Sequence, residues 1–168
     1  MIILKNTGYN REKAADYALK WAYGRNKQYI DFSNLGGDCT SFVSQCLYAG
    51  SGVMNYTPIY GWYYISSFDR SPSWSGVNYL YDFLVKNTDY GPFGSEVFAD
   101  KLQKGDIIQL YSLIEKNFYH SLFVVSAASP DPHDILVCAH TDNSRNRPLS
   151  TYSYDDLRYI HIDGVNKP

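Results

Sequence analysis

Apolar residues recur at two different periods along this chain, and the period changes near its middle. Ala14, Tyr17, Ala18, Trp21 and Ala22 lie three and four apart behind Asn10, a good helix N-cap; they predict a helix over Arg11 to Arg25. Phe42, Val43, Cys46 and Leu47 keep that spacing and predict a second helix from Cys39 to Ala49, with Gly50 as its C-terminal cap. Leu80, Tyr81, Phe83 and Leu84 predict a third over Val77 to Asn87, and a turn at Gly91-Pro92 closes that section. After Gly105-Asp106 the apolar runs become short. Ile107 to Tyr111, Ser121 to Ser126, Ile135 to Thr141 and Tyr159 to Ile162 predict four strands. Ser129-Pro130-Asp131-Pro132 joins the second and third as a hairpin. Helices first and strands afterwards argue for an α+β fold with an antiparallel sheet.

Composition narrows the function classes. A chain of 168 residues suits one domain, residues 1–168, with a real core. A net charge of -2 gives no electrostatic case for nucleic acid. No apolar run approaches the ~18 residues of a membrane span, and the apolar part of Met1-Ile2-Ile3-Leu4-Lys5 is too short for a signal peptide. Cys39, Cys46 and Cys138 are an odd number. Two helical turns separate the first two by roughly 10 Å, beyond disulfide reach. Cys138 sits in an apolar, strand-like run and reads as buried. There is neither a disulfide framework nor a paired-Cys zinc spacing.

The candidate chemistry begins at Gly36-Gly37-Asp38-Cys39-Thr40-Ser41-Phe42-Val43-Ser44-Gln45. Two glycines deliver a cysteine to the start of a helix, where unpaired backbone N–H groups and the helix dipole favour thiolate and can receive an oxyanion. A buried structural cysteine is the competing reading of this segment. Four histidines are available as a base. His120 opens a strand, His140 lies near the end of the next, His133 is in the Pro-rich hairpin, and His161 alternates with Ile160 and Ile162. His120, on a strand packed against the Cys39 helix, is the best candidate for a Cys–His couple. His140 and Asp142, two apart and on one face, compete to orient its ring. The aromatic content is unusual, with 17 Tyr, 8 Phe and 3 Trp, much of it between Tyr56 and Tyr90. Trp62 in Tyr60-Gly61-Trp62-Tyr63-Tyr64, together with Trp74, is a candidate groove wall; a Tyr-rich core is the alternative.

These segments resemble the putative amidase domain family of the papain-like cysteine peptidase superfamily. The resemblance rests on Tyr17-Ala18 to Trp21-Ala22, the Gly36 to Gly50 block, Ser73-Trp74-Ser75-Gly76-Val77-Asn78, Gly105-Asp106, His120-Ser121, and His140-Thr141-Asp142 with Arg147-Pro148-Leu149. The layout is also similar to the NlpC/P60 and CHAP cell-wall hydrolases. The resemblance implies a papain-like fold, Cys39 as nucleophile, His120 as general base and then acid, and His140, or Asp142 beside it, as the third polar residue. Papain places an oxyanion glutamine shortly before its cysteine. Here the nearest is Gln28, so the Cys39 N–H carries more of that work, aided by Ser33, Asn34 or Tyr29. Asp38 is expected to cap the Cys39 helix, and its charge opposes ionisation of the thiol.

The implied reaction is amide cleavage through a thioester, without cofactor or metal, on peptide substrates such as peptidoglycan stem peptides, in a secreted or cell-wall-associated setting. Three other readings stand beside it. An acyltransferase or transpeptidase would share the acyl-enzyme. A non-catalytic module would use the aromatic groove to bind cell-wall polymer. A zinc site would draw on His120, His140 and Asp142.

Overall fold

A computed structural model describes residues 3–168. In chain order it contains β1 (Lys5–Asn6), α1 (Arg11–Trp21), α2 (Cys39–Ser51), β2 (Tyr64–Ser66), β3 (Asp69–Arg70), α3 (Pro72–Ser75) and α4 (Val77–Lys86). There follow β4 (Gly91–Val97), β5 (Ile107–Ser112), β6 (Asn117–Ala127), β7 (Ile135–Ala139), β8 (Ser144–Pro148) and β9 (Asp156–Lys167). The seven-stranded sheet runs β1-β9-β5-β6-β7-β8, with β4 also on β9, and every pairing is antiparallel. The fold is α+β. No helix among the described residues is long and apolar enough to cross a membrane.

The helical periodicities produce the helices, with shifted ends. Asn10 caps α1 by accepting from the Lys13 N–H, as its type predicts. That helix stops at Trp21 rather than Arg25, where the Gly24 N–H closes a turn on the Trp21 carbonyl. Helix α2 runs past the expected cap. Gly50 lies inside it, where a Cβ would meet Tyr9 and the Asn10 carbonyl within 2.7 Å, so its glycine makes room for α1. The cap is Gly52, at φ 69, whose N–H bonds to the Tyr48 carbonyl.

Besides the short strands β1, β2 and β3, two longer strands carried no period-two signal. Gly91-Pro92 does not end a section; it begins β4, which pairs with β9 over its whole length. Strand β8 is wholly polar (Ser144-Arg145-Asn146-Arg147-Pro148) and forms a sheet edge, where charge and proline discourage further pairing.

The sheet separates two apolar layers. Phe42, Val43, Cys46, Leu47, Trp62, Trp74, Ile107, Phe123 and Cys138 fill the helix side. Ile108, Leu110, Leu122, Val124, Val137, Ala139 and Leu149 fill the other. Asp106 ties α1 to the sheet. It is fully buried and accepts hydrogen bonds from Arg11 (2.8 Å), His161 Nδ1 (2.8 Å) and the N–H groups of Gln103 and Ile162. The Gly-Asp pair is thus a structural staple, and it accounts for His161.

Candidate active site

Gly36 and Gly37 have φ values of 96° and 110°, a region open to glycine at little cost, and this turn delivers Asp38 and Cys39 to the start of α2. Cys39 is the first residue of that helix and 7% exposed. The Ser121 backbone N–H points at its sulfur, and Thr40 Oγ1 lies 3.7 Å from it. The last β6–β7 pair is Phe123 with Cys138, so the Ser121 amide lies just beyond the end of that ladder.

Burial governs the thiol. A helix N-terminus lowers an anion's energy by ~0.3–1 kcal/mol, rarely ~2, whereas desolvation of a buried group can exceed that several-fold. Here burial pushes the Cys39 thiol above its ordinary range, against the hydrogen bonds from Ser121 and Thr40, and the Asp38 charge adds to the rise. Burial and the Asp38 charge therefore oppose the thiolate that the helix dipole is expected to favour.

His120 is half-buried and lies on the far side of β6 from α2. Ser121 turns its hydroxyl to Thr40 on α2, at 3.0 Å. Alternation therefore turns His120 the other way, toward the layer of Leu122 and Val124. Its ring centroid is 6.1 Å from that of Tyr152 and 6.1 Å from that of Tyr119. Burial, then the Arg147 cation, hold its pKa down at about 4, while Asp142 pulls the other way. At neutral pH the imidazole is uncharged and ready to accept a proton. The backbone brings His120 next to Cys39; the ring points across the sheet.

His140 does not orient that ring. It is 1% exposed, with Nδ1 2.6 Å from Asp38 Oδ2 and Nε2 2.8 Å from the Trp21 carbonyl. Its ring stacks on Phe42 at 3.9 Å. A carboxylate and a carbonyl are both acceptors, so both ring nitrogens stand in donor positions. It bridges the C-terminal end of α1 to the residue before α2. Asp38 is accordingly not a side-chain cap of α2. Its Oδ1 accepts from the Phe32 N–H at 2.9 Å, its Oδ2 faces His140, and Arg25 Nε lies 3.4 Å away.

Asp142 stands beside Thr141 in a left-handed stretch, with φ 134 and 78, and its carboxylate is 95% exposed, 3.7 Å from Arg147. His120, His140 and Asp142 do not converge as metal ligands, and no group of three or more metal-ligating acids, cysteines or histidines occurs among the described residues. Trp62 and Trp74 are fully buried, packed on each other at 5.1 Å, and so form core rather than a groove wall. They are held there by Ser44, whose hydroxyl accepts from Trp62 Nε1 and donates to the Trp74 carbonyl. Tyr29 is half-buried, stacked on Trp74 at 5.7 Å, and burial raises its phenol to about 12. Asn34 and Ser33 are exposed, with Ser33 bonded to Asp31. All three cysteines are free and buried.

The sequence reading missed Thr40, Ser121 and Gln109. Gln109 is fully buried in an otherwise apolar strand, and a glutamine inside Ile-Ile-Gln-Leu was the available signal.

A family model described as "putative amidase domain" matches residues 8–162. The uncharacterized protein YhbB of Bacillus subtilis (strain 168) is 35% identical over 152 residues, which are 88% of this chain and 45% of that protein. The chain thus spans less than half the length of that relative. No solved structure matches. The chain belongs to the putative amidase domain family.

Proposed function

We propose that the protein cleaves amide bonds with Cys39 as nucleophile and His120 as base, on a papain-like arrangement related to the NlpC/P60 hydrolases. One observation carries the reading: the Cys39 sulfur, at a helix N-terminus, faces the backbone N–H of the residue that follows His120. A thiol and a neutral imidazole form a general-base pair once the ring reaches the sulfur. Attack on the carbonyl needs the His120 ring to swing to the α2 side of β6, where the β6–β7 pairing has ended, and take the Cys39 proton. The sulfur–carbon bond forms as that proton leaves, and the oxyanion is met by unpaired N–H groups of the first turn of α2, that of Cys39 first. The imidazolium then protonates the departing amine. Water, deprotonated by the same ring, hydrolyses the thioester and regenerates the thiol. Peptide amides, including peptidoglycan stem peptides, are the substrate class to try first.

The test is amine release from a panel of peptide amides and stem peptides, with mass spectrometry of the protein for an acyl adduct on Cys39. Cys39→Ala is expected to lose all turnover while its thermal midpoint stays near that of the parent. Turnover that survives Cys39→Ala overturns the cysteine mechanism.

A further inference from the structure

A line of polar side chains crosses the helix side of the sheet and ends on the Cys39 sulfur, and the chemistry of its first member fixes the Gln109 amide and orders the donors beyond it. Arg158 has no acceptor, so the Gln109 atom 2.9 Å from its Nε is the oxygen. That fixes the Gln109 amide with its nitrogen on the other side, donating to the Val77 carbonyl (2.9 Å) and to the Ser121 hydroxyl oxygen (3.2 Å). Ser121 therefore accepts from Gln109, whose amide nitrogen cannot accept in return, and the acceptor in reach of its own proton is Thr40 Oγ1, at 3.0 Å. With the Ser121 proton on its oxygen, Thr40 has the Cys39 sulfur, at 3.7 Å, as the acceptor in reach of its own proton. Thr40, Gln109 and Ser121 are all at most 1% exposed, so water does not compete for these protons. The Arg158 guanidinium lies between the Tyr81 and Phe118 rings, 3.6 and 3.7 Å from their centroids, and its second arm donates to Asn78 Oδ1 at 3.0 Å.

We propose that Arg158, Gln109, Ser121 and Thr40 form a one-way chain of hydrogen-bond donors that positions a proton on the Cys39 sulfur and stabilises negative charge there. The proposal rests on Cys39 being the nucleophile. These four are positioning residues; none needs to touch the substrate. The chain answers a difficulty the site sets itself. Burial opposes the thiolate, and a chain that ends as a donor is the arrangement in which hydrogen bonding favours it; such chains strengthen in a low dielectric.

The measurement is the rate of iodoacetamide alkylation of Cys39 across pH, with the modified site located by mass spectrometry, in the whole chain. Thr40→Val keeps shape and removes the donor. Its Cys39 is expected to alkylate about tenfold more slowly at a fixed pH, the weight of one hydrogen bond to a charged group. Its rate–pH curve should move to higher pH. Thr40→Ser restores the hydroxyl and should restore the parent curve, which a purely structural role for Thr40 does not predict. Ser121→Ala, a second route into the chain, should shift the curve the same way by about threefold, because Thr40 still donates but is no longer polarised. A parent-like alkylation curve in folded Thr40→Val or Ser121→Ala, judged by near-ultraviolet circular dichroism, overturns the proposal. Alkylation does not depend on hydrolysis. A shifted curve in Thr40→Val alongside turnover that survives Cys39→Ala keeps the donor chain and removes the amidase mechanism.

Discussion

His120 lies on β6 and His140 directly follows the neighbouring antiparallel β7, and the two have opposite chemical situations. His140 is sealed in, with each ring nitrogen committed to a fixed acceptor and its ring flat on Phe42. His120 has no such commitment; its neighbours are the rings of Tyr119 and Tyr152, and burial keeps it uncharged. The first is a strut. It ties the C-terminal end of α1 to Asp38, and so holds the turn that presents Cys39. The second is a neutral base whose nitrogens remain free for a proton in transit. A ring with both nitrogens hydrogen-bonded cannot serve as a base without breaking a buried hydrogen bond, and a ring without fixed partners contributes little to holding the fold. Under the proposed mechanism the difference gives scaffold to one histidine and chemistry to the other.

Substituting each in turn should break that comparison most sharply. His120→Ala should lower kcat/KM on any amide substrate by about 10²–10⁴-fold, the usual weight of a general base, with a thermal midpoint close to the parent. His140→Leu should do the reverse. It leaves the Asp38 carboxylate and the Trp21 carbonyl buried without their partner, and leaving a buried charge without its partner costs about 3–5 kcal/mol. Denaturant unfolding should show that loss, and activity per folded molecule should fall far less than in His120→Ala. If His140→Leu unfolds like the parent, the strut assignment is wrong.

What could be read beforehand divides along the same line. Cys39 at a helix start was legible because Gly36-Gly37 breaks the chain just ahead of a run with helical spacing. The face of His120 was not. Ser121-Leu122-Phe123-Val124-Val125 is apolar on both sides of the strand, since both layers of the core press on it, so no alternation marks which way the ring turns. The His140–Asp38 pair spans 102 residues and leaves no local trace. Strand β4 was hidden by Gly91, Pro92 and Gly94, residues with poor strand propensity that are carried by the ladder to β9. Trp62 and Trp74 read equally well as a groove or as a core, because size and polarity do not say which side of a loop is covered.

Acid should sharpen the comparison at smaller cost. The folded pKa of His120, about 4, lies below its ordinary 6.5. Between those values the unfolded chain holds a proton that the folded chain lacks, so stability falls as pH drops through that window, and His120 contributes no pH dependence above it. Urea midpoints at pH 7 and pH 4.5 should therefore separate further for the parent than for His120→Gln, which cannot titrate. Equal separations in the two proteins would show that the ring is not held neutral by its surroundings. The same depressed value predicts that the acid limb of kcat/KM lies well below pH 6.

The smallest effect is expected at Asp142, the other residue considered as a partner for His120. Its carboxylate is almost wholly in water, so its pull on the His120 ring is screened, and Arg147 nearby opposes it. Asp142→Asn keeps the size of the side chain and removes the charge. Its effect on kcat/KM at pH 7 should be no more than about threefold, within the range of exposed charge pairs. Its acid limb should move slightly to lower pH, because the charge that raises the His120 pKa is gone. High salt should erase that shift in the parent, leaving the two profiles superimposed. A loss as large as that of His120→Ala would mean that the loop closes over the site when substrate binds and buries this carboxylate against the imidazole. Asp142 would then share the catalytic role that its exposure in the free protein denies it.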